Sequence, residues 1–317
     1  MELGGLIRSA REHKNLTREQ LAEDICSPKY IYLIEKGERT PSVGILDCIG
    51  RRLNIEVFSY LPYLDCVNPV VVRKYCKLFN ESRKSNDYAR TQQLTNEAMA
   101  FVDFQKLPWK REIDFNRVKL LIFKEEVYEE AYIMIQEILK EENLPLECNI
   151  DTLIDLSASM IQFYNLLSIY FKRIGETNKQ INYLNSLATA LKHHKHISSY
   201  QRIYISVMLN LTKAHFNTGN YIGSRTVGIE LLEYQREKNL VDRMGITYFV
   251  LGKCYYHLGQ QSEAVDYFQK AVFLCYSLDY DLFLTDILNF IETMETNENQ
   301  MLINFRKKMD CFVNKQR

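Results

Sequence analysis

A shortage of turn-forming residues constrains this chain more than any other feature. Its 317 residues include only 12 Gly and 6 Pro, where average usage would give roughly 22 and 16. β-Hairpins draw heavily on Gly at positive φ, and phosphate-cradling loops are Gly-rich. A chain this poor in both residues is expected to be all-α, with long helices joined by short connections. Its 46% hydrophobic and 25% charged content fits a globular protein rather than a disordered or membrane-embedded one, and its length allows about two domains.

Forty basic residues balance forty acidic ones, so any contact with nucleic acid must be local. No window approaches 18 uncharged apolar residues, and the start Met1-Glu2-Leu3-Gly4-Gly5 lacks a basic-then-apolar leader, so a cytoplasmic protein without membrane association is expected. The eight Cys are scattered without a CxxC pair and read as reduced thiols, several among apolar neighbours.

Residues 2–60 break into short helical pieces. Leu3, Leu6, Ile7 and Ala10 share one helical face. Thr17 and Gln20 form a capping box for a second helix, whose buried face is Leu21, Ala22 and Ile25. Ser27-Pro28 reads as N-cap plus N1 proline of a third helix, which Gly37 ends. Pro41-Ser42 opens a fourth helix, and Val57-Phe58-Tyr60-Leu61 suggests a fifth. Two short helices joined by a tight turn within such a bundle are helix-turn-helix geometry.

Leu16-Thr17-Arg18-Glu19-Gln20-Leu21-Ala22, Tyr30 to Gly37, and Pro41-Ser42 with Leu46 resemble the XRE/Cro family of DNA-binding domains across residues 3–60. The turn Asp24-Ile25-Cys26-Ser27 resembles the variant of its PlcR/Rgg group. In this geometry the third helix enters the major groove of double-stranded DNA. Lys29, Tyr32 and Leu33 then face base edges, with Tyr30 beside them, Ser27 at the helix start, and Pro28 offering apolar contact. Arg18, Lys36 and Arg39 suit phosphate contacts, while Ile31 and Ile34 belong to the core. Nine Lys/Arg balance nine Asp/Glu in residues 1–60. One head should therefore bind weakly, and two copies should act together on a two-fold operator.

The expected organisation is a DNA-binding domain over 1–61, a linker over 62–70 holding Pro62 and Pro69, and a helical-repeat domain over 71–317. Tyr248, Leu251, Gly252, Tyr255, Ala264, Phe268 and Ala271 follow tetratricopeptide spacing, with Gly259 at the turn. Gly219 and Gly175 anchor weaker copies. A unit without Gly holds Phe115, Val118, Ile122, Ala131, Ile135 and Ile138, and a degenerate first one holds Tyr75, Leu78, Leu94 and Ala98. Residues 280–314 read as a terminal pair. Five repeats plus this cap predict a right-handed α-solenoid, with the repeats' first helices lining a peptide-binding groove. Counting back from the turn glycines places Gln162, Asn165, Ile169, Lys172 and Arg173 on that face. Ser206, Asn210, Lys213, Phe216 and Asn217 follow on the next helix, then Phe249, Lys253, Tyr256 and His257. Asn165 and Asn210 can each donate to and accept from a peptide backbone, Lys213 and Lys253 can hold a carboxylate, and Phe216, Phe249 and Tyr256 can form apolar pockets.

An XRE-type head followed by such an array resembles the RNPP family (PlcR/Rgg/PrgX-type). Asn210-Leu-Thr-Lys-Ala-His-Phe and Asn165-Leu-Leu-Ser-Ile-Tyr-Phe match its arrangement of Asn on successive inner helices. The resemblance implies a cytosolic quorum-sensing regulator that binds a short signalling peptide and forms a homodimer through the helical domain. The alternative is a regulator whose repeats grip a protein partner, such as a response regulator or a phage or plasmid protein. No P-loop, GxGxxG or HExxH is present, so neither an enzyme nor a cofactor or metal is expected, and His193, His194 and His196 read as a helix terminus.

Overall fold

The computed structural model describes residues 3–55, 62, 63, 65–241, 243–278, 281–295 and 307. Every regular element among them is helical, and the chain divides into two compact units, 1–127 and 128–317.

Four helices build the head: α1 (Leu3–His13), α2 (Arg18–Ala22), α3 (Pro28–Glu35) and α4 (Val43–Leu53). Ile7, Leu21, Ala22, Ile31, Ile34, Leu46, Ile49 and Leu53 form their core. Local chemistry sets the boundaries. The Thr17 hydroxyl accepts from Gln20 N at 3.2 Å while the Gln20 side chain accepts from Thr17 N at 2.8 Å, so the capping box is complete. Ser27 caps α3 and Ser42 caps α4, each such cap contributing about 1 kcal/mol. α2 stops at Ala22, earlier than the sequence suggests, because Asp24 adopts φ 57 and turns the chain. Ile25 is half-buried beyond that helix end. The fifth helix expected at 57–61 lies outside the described residues.

The rest of the first unit holds α5 (Pro69–Lys84), α6 (Tyr88–Ala98), a 3-10 turn (Val102–Gln105) and α7 (Lys110–Leu120). Their core is Val72, Tyr75, Phe79, Leu94, Ala98, Phe104 and Ile113. Residues 69 and 70, placed in the linker by sequence, form the first turn of α5. The segment before it is pinned. The buried Asp103 carboxylate accepts from Val67 N at 2.7 Å and Asn68 N at 2.8 Å, and Tyr63 stacks on Trp109 with ring centroids 4.9 Å apart.

The second unit contains α8 (Tyr128–Glu141), a short α9 (Ile150–Ile154), α10 (Ala158–Arg173), α11 (Thr177–Leu191) and α12 (Ser198–Asn217). α13 (Tyr221–Glu237), α14 (Met244–His257), α15 (Gln261–Ser277) and α16 (Asp281–Glu295) follow. From α10 onward each helix packs on the next, and α8, α10, α12 and α14 also touch in sequence. Alternate helices therefore share one row. α9 and its flanking loops separate α8 from α10, an interruption that repeat spacing did not foretell. The boundary between the two units falls within the expected second repeat, between α7 and α8. Of the expected terminal pair, 281–295 forms α16, while 279, 280, 296–306 and 308–314 lie outside the described residues.

Tight reversals explain how so few glycines suffice. Gly37, Gly175, Gly219 and Gly259 follow helices at positive φ, and so do Asn15, Asn54, Asn86, Asn143 and Asn239. At Asn239 the amide bonds to Arg236 O at 3.2 Å while Leu240 N bonds to Gln235 O at 2.8 Å. Gly219 repeats the pattern with Phe216 O and His215 O. Asparagine tolerates the left-handed conformation best after glycine, so it satisfies the orphan helix carbonyls in glycine's place. Asn239→Gly should keep stability within a few tenths of a kcal/mol, whereas Asn239→Val should cost about 1–2 kcal/mol. Denaturant unfolding of the two variants checks this.

Candidate functional site

In the head, the position of α3 depends on a buried carboxylate. The Glu35 side chain is 2% exposed and accepts from Arg11 Nε at 2.5 Å, Arg11 Nη2 at 3.2 Å and Arg18 Nε at 2.8 Å. Arg11 also donates from Nη1 to Leu16 O at 2.9 Å, and the hydrogen bond to Glu35 holds its guanidinium above its ordinary pKa. One anion thus ties α1 and α2 to the last turn of α3. Gly4 permits the approach, since a Cβ there would lie 2.2 Å from Ile34 O. Arg52 spans the turn after α2, donating to Gln20 O and Leu21 O at 3.2 Å each and to Glu23 O. Sequence reading did not identify Gly4, Arg11, Glu35 or Arg52 as a set, because nothing in linear spacing links residues 24 to 32 apart.

The residues expected to face DNA divide by duty. Ser27, Pro28, Lys29, Tyr32, Lys36 and Arg39 are exposed, and Leu33 is half-buried. Tyr30 is a structural residue more than a free one. It packs on the head core and donates its hydroxyl to Thr40 O at 3.3 Å, pegging the loop after α3. Tyr32 lies between two cations, with the Arg18 guanidinium 5.2 Å and the Lys36 ammonium 4.8 Å from its ring centroid. Arg18 was expected only as a phosphate contact, yet its Nε is committed to Glu35. It braces the outer face of α3 from α2.

On the alternate-helix row of the second unit, Asn165 and Asn210 meet. Asn210 Nδ2 donates to Asn165 Oδ1 at 3.3 Å, and Asn165 Nδ2 donates to Ser206 Oγ at 3.4 Å. Arg243, just before α14, donates from Nη1 to the same Ser206 oxygen at 3.3 Å. Two helices and the residue before a third thereby contribute to one polar row, of which Arg243 was not foreseen because it precedes α14 at φ 58. Gln162 is half-buried one turn before Asn165, and Ile169 is half-buried one turn after it. Lys172 and Arg173 are exposed at the end of α10, Arg173 lying 6.0 Å from the Tyr128 ring, and Asn217 is exposed at the end of α12.

The expected apolar pockets are already occupied. The Lys253 ammonium sits 4.5 Å from the Phe216 ring centroid, 4.8 Å from Phe249 and 5.4 Å from Phe290 of α16. The ring faces attract the cation while sparing it water, so these phenylalanines form a box around Lys253. Tyr256 is half-buried beside His257, which stacks on Tyr221 with centroids 4.6 Å apart. Burial, reinforced by the charges of Lys172, Arg243 and Lys253, lowers Lys213 to about 8.

Elsewhere, the His194 ring stacks on Tyr200 and its Nε2 lies 2.7 Å from Ile154 O. Among the described residues no group of three His, Cys, Asp or Glu could hold a metal, and no helix is long and apolar enough to cross a membrane. Arg18→Ala should lower unfolding stability by about 1–3 kcal/mol through the buried Glu35. Lys29→Ala, on the exposed face, should leave it within about 0.5 kcal/mol, as thermal denaturation would show.

Residues 7–57 match the helix-turn-helix family profile. A sequence search finds no match among curated proteins. The fold resembles that of Bacillus thuringiensis PlcR in complex with the peptide PapR7 and DNA. There the TM-score is 0.76 at 19% identity, covering 91% of this chain and 99% of PlcR. It is also similar to the Streptococcus dysgalactiae SHP pheromone receptor Rgg2, with a TM-score of 0.57, 16% identity, and coverage of 90% and 97%. For ComR from S. thermophilus, in complex with DNA and its signalling peptide ComS, the TM-score is 0.52 at 15% identity, with coverage of 90% and 97%. The chain is therefore an all-α protein with an XRE-type helix-turn-helix head, and it shares the fold of the PlcR, Rgg and ComR regulators.

Proposed function

We propose that this protein is a cytoplasmic transcriptional regulator that binds double-stranded DNA through α3 and is controlled by a short signalling peptide. The peptide lies along the tetratricopeptide-like row α10, α12 and α14, and a homodimer presents two heads to a two-fold operator. The bond between Asn165 and Asn210 carries the peptide reading. Two carboxamides from alternate helices form a ladder, and each can exchange its partner for a backbone amide of an extended peptide at little cost. That relatives of this fold have been crystallised with signalling peptides and DNA supports it.

In the head, Lys29, Tyr32 and Leu33 face base edges, while Lys36 and Arg39 contact phosphates. Ser27 and Pro28 meet the backbone at the helix start, and Arg18 acts mainly by holding Tyr32 and Glu35 in place. Lys29→Ala should relax base preference by about 1–3 kcal/mol at one position, while Arg39→Ala should weaken all sequences alike and reduce the salt slope by about one. Binding isotherms at several salt concentrations separate the two effects.

For the second unit, calorimetric titration with short peptides encoded beside the gene tests the assignment. A bound peptide should lose at least tenfold in affinity to Asn165→Ala/Asn210→Ala. Equal binding by that variant would remove the row from the ligand site.

A further inference from the structure

Ahead of α5 the chain is held rather than tethered. Both side-chain oxygens of Asp103, in the 3-10 turn after α6, accept from the linker backbone, from Val67 N at 2.7 Å and Asn68 N at 2.8 Å. Asn68 is the N-cap of α5 and makes no side-chain cap bond of its own, although asparagine is among the best residues for that task. A carboxylate 35 positions away serves the start of α5 instead, from a site only 7% exposed. Four residues before Val67, the Tyr63 ring lies on Trp109 at the start of α7, with centroids 4.9 Å apart and planes within 4°. Between these contacts Cys66 N donates to Tyr63 O at 3.1 Å, and Tyr63 and Cys66 both pack on the α5–α7 core. Carboxylate, backbone and ring thus close the linker onto one end of the α5–α7 bundle.

The consequence is for reach. If free, the seven residues 62–68 would extend up to about 24 Å, and as a flexible chain their ends would lie about 15 Å apart. Half-sites one turn of B-DNA apart have centres about 34–36 Å from each other, and half a turn changes that by about 17 Å. Two free linkers, one from each copy, would absorb such a change. With both closed, that latitude is gone. We infer that Asp103, Trp109 and Tyr63 form a clasp that fixes the separation of the two half-sites that a pair of heads accepts. They are positioning residues, acting through the placement of the head and not by meeting DNA. The inference rests on the two-headed DNA reading above and adds the element that sets its spacing.

The test uses the full chain and a pool of random double-stranded DNA, and reads the distances between paired half-sites in the bound fraction. The wild-type chain should enrich one distance. Asp103→Ala/Tyr63→Ala should enrich the same half-site sequence at distances spread over at least half a turn, with at least tenfold less preference for the wild-type distance. Tyr63→Phe keeps a ring on Trp109 and should keep the single distance. Circular dichroism confirms that each variant folds. A single distance unchanged in the double variant, or a spread already present in the wild-type chain, would overturn the clasp and leave the DNA reading standing. Enrichment of no sequence by the wild-type chain would overturn both.

A second readout needs no DNA. Trp109 is the only tryptophan in the sequence and is half-buried, so quenching of its fluorescence by acrylamide reports the clasp alone. Asp103→Ala should raise the quenching constant at least twofold, as Tyr63→Ala should, because breaking either contact lets the segment open locally. An Asp103→Ala variant that folds and quenches like the wild-type chain would show that carboxylate and ring do not act as one unit, and would overturn the clasp.

Discussion

The structure depends on reversing the chain tightly after most of its helices. At most of these reversals one residue adopts positive φ: among the described residues four glycines and five asparagines do so after helices, joined by Asp24 and Glu126. Because the connections are short, successive helices of the second unit must pack on each other, which places alternate helices in one row. Residues far apart in sequence, such as Asn165 and Asn210, then meet without any long-range pairing to bring them there. Gly252 serves the same packing at another level, since a Cβ there would come within 2.7 Å of the Phe268 ring. Larger residues at these few positions would separate the helices and dissolve the polar row.

The two candidate surfaces treat charge in opposite ways. In the head, Glu35 is buried but answered by two arginines, so its desolvation is offset and the ion cluster fixes the placement of α3. On the helical row, Lys213 is half-buried under the influence of Lys172, Arg243 and Lys253, with Asp286 as an opposing charge. Lys253 lies between these cases, its charge met by ring faces rather than by an anion.

Much of this was legible in the sequence. Caps at Thr17, Ser27 and Ser42 gave the head's helix starts, and the turn glycines at 175, 219 and 259 gave the phase that put Asn165 and Asn210 on one face. Tetratricopeptide spacing placed Gly252 and Phe268 in one repeat, and the structure packs the Phe268 ring against Gly252. The remainder was hidden for physical reasons. Asparagine's left-handed role looks like ordinary polarity in a linear sequence, so five of the turns passed unread. The Glu35 cluster joins residues brought together only by folding, and Arg18 looked like a surface cation because its buried partner is 17 positions away. The apolar pockets expected from Phe216 and Phe249 were filled by Lys253, four residues beyond Phe249, a cation–π arrangement that spacing permits but does not specify.

Zero net charge across the head leaves little non-specific attraction for DNA, so the central claim is that two heads act together under control of the helical row. Selection of bound sequences from random double-stranded DNA by the full chain, with and without a peptide that it retains, tests this most directly. The account predicts two inverted half-sites at fixed spacing, with enrichment that the peptide changes at least tenfold in the wild-type chain and not in Asn165→Ala/Asn210→Ala. Enrichment of a single half-site, or of the same sites to the same extent with and without peptide, would contradict it.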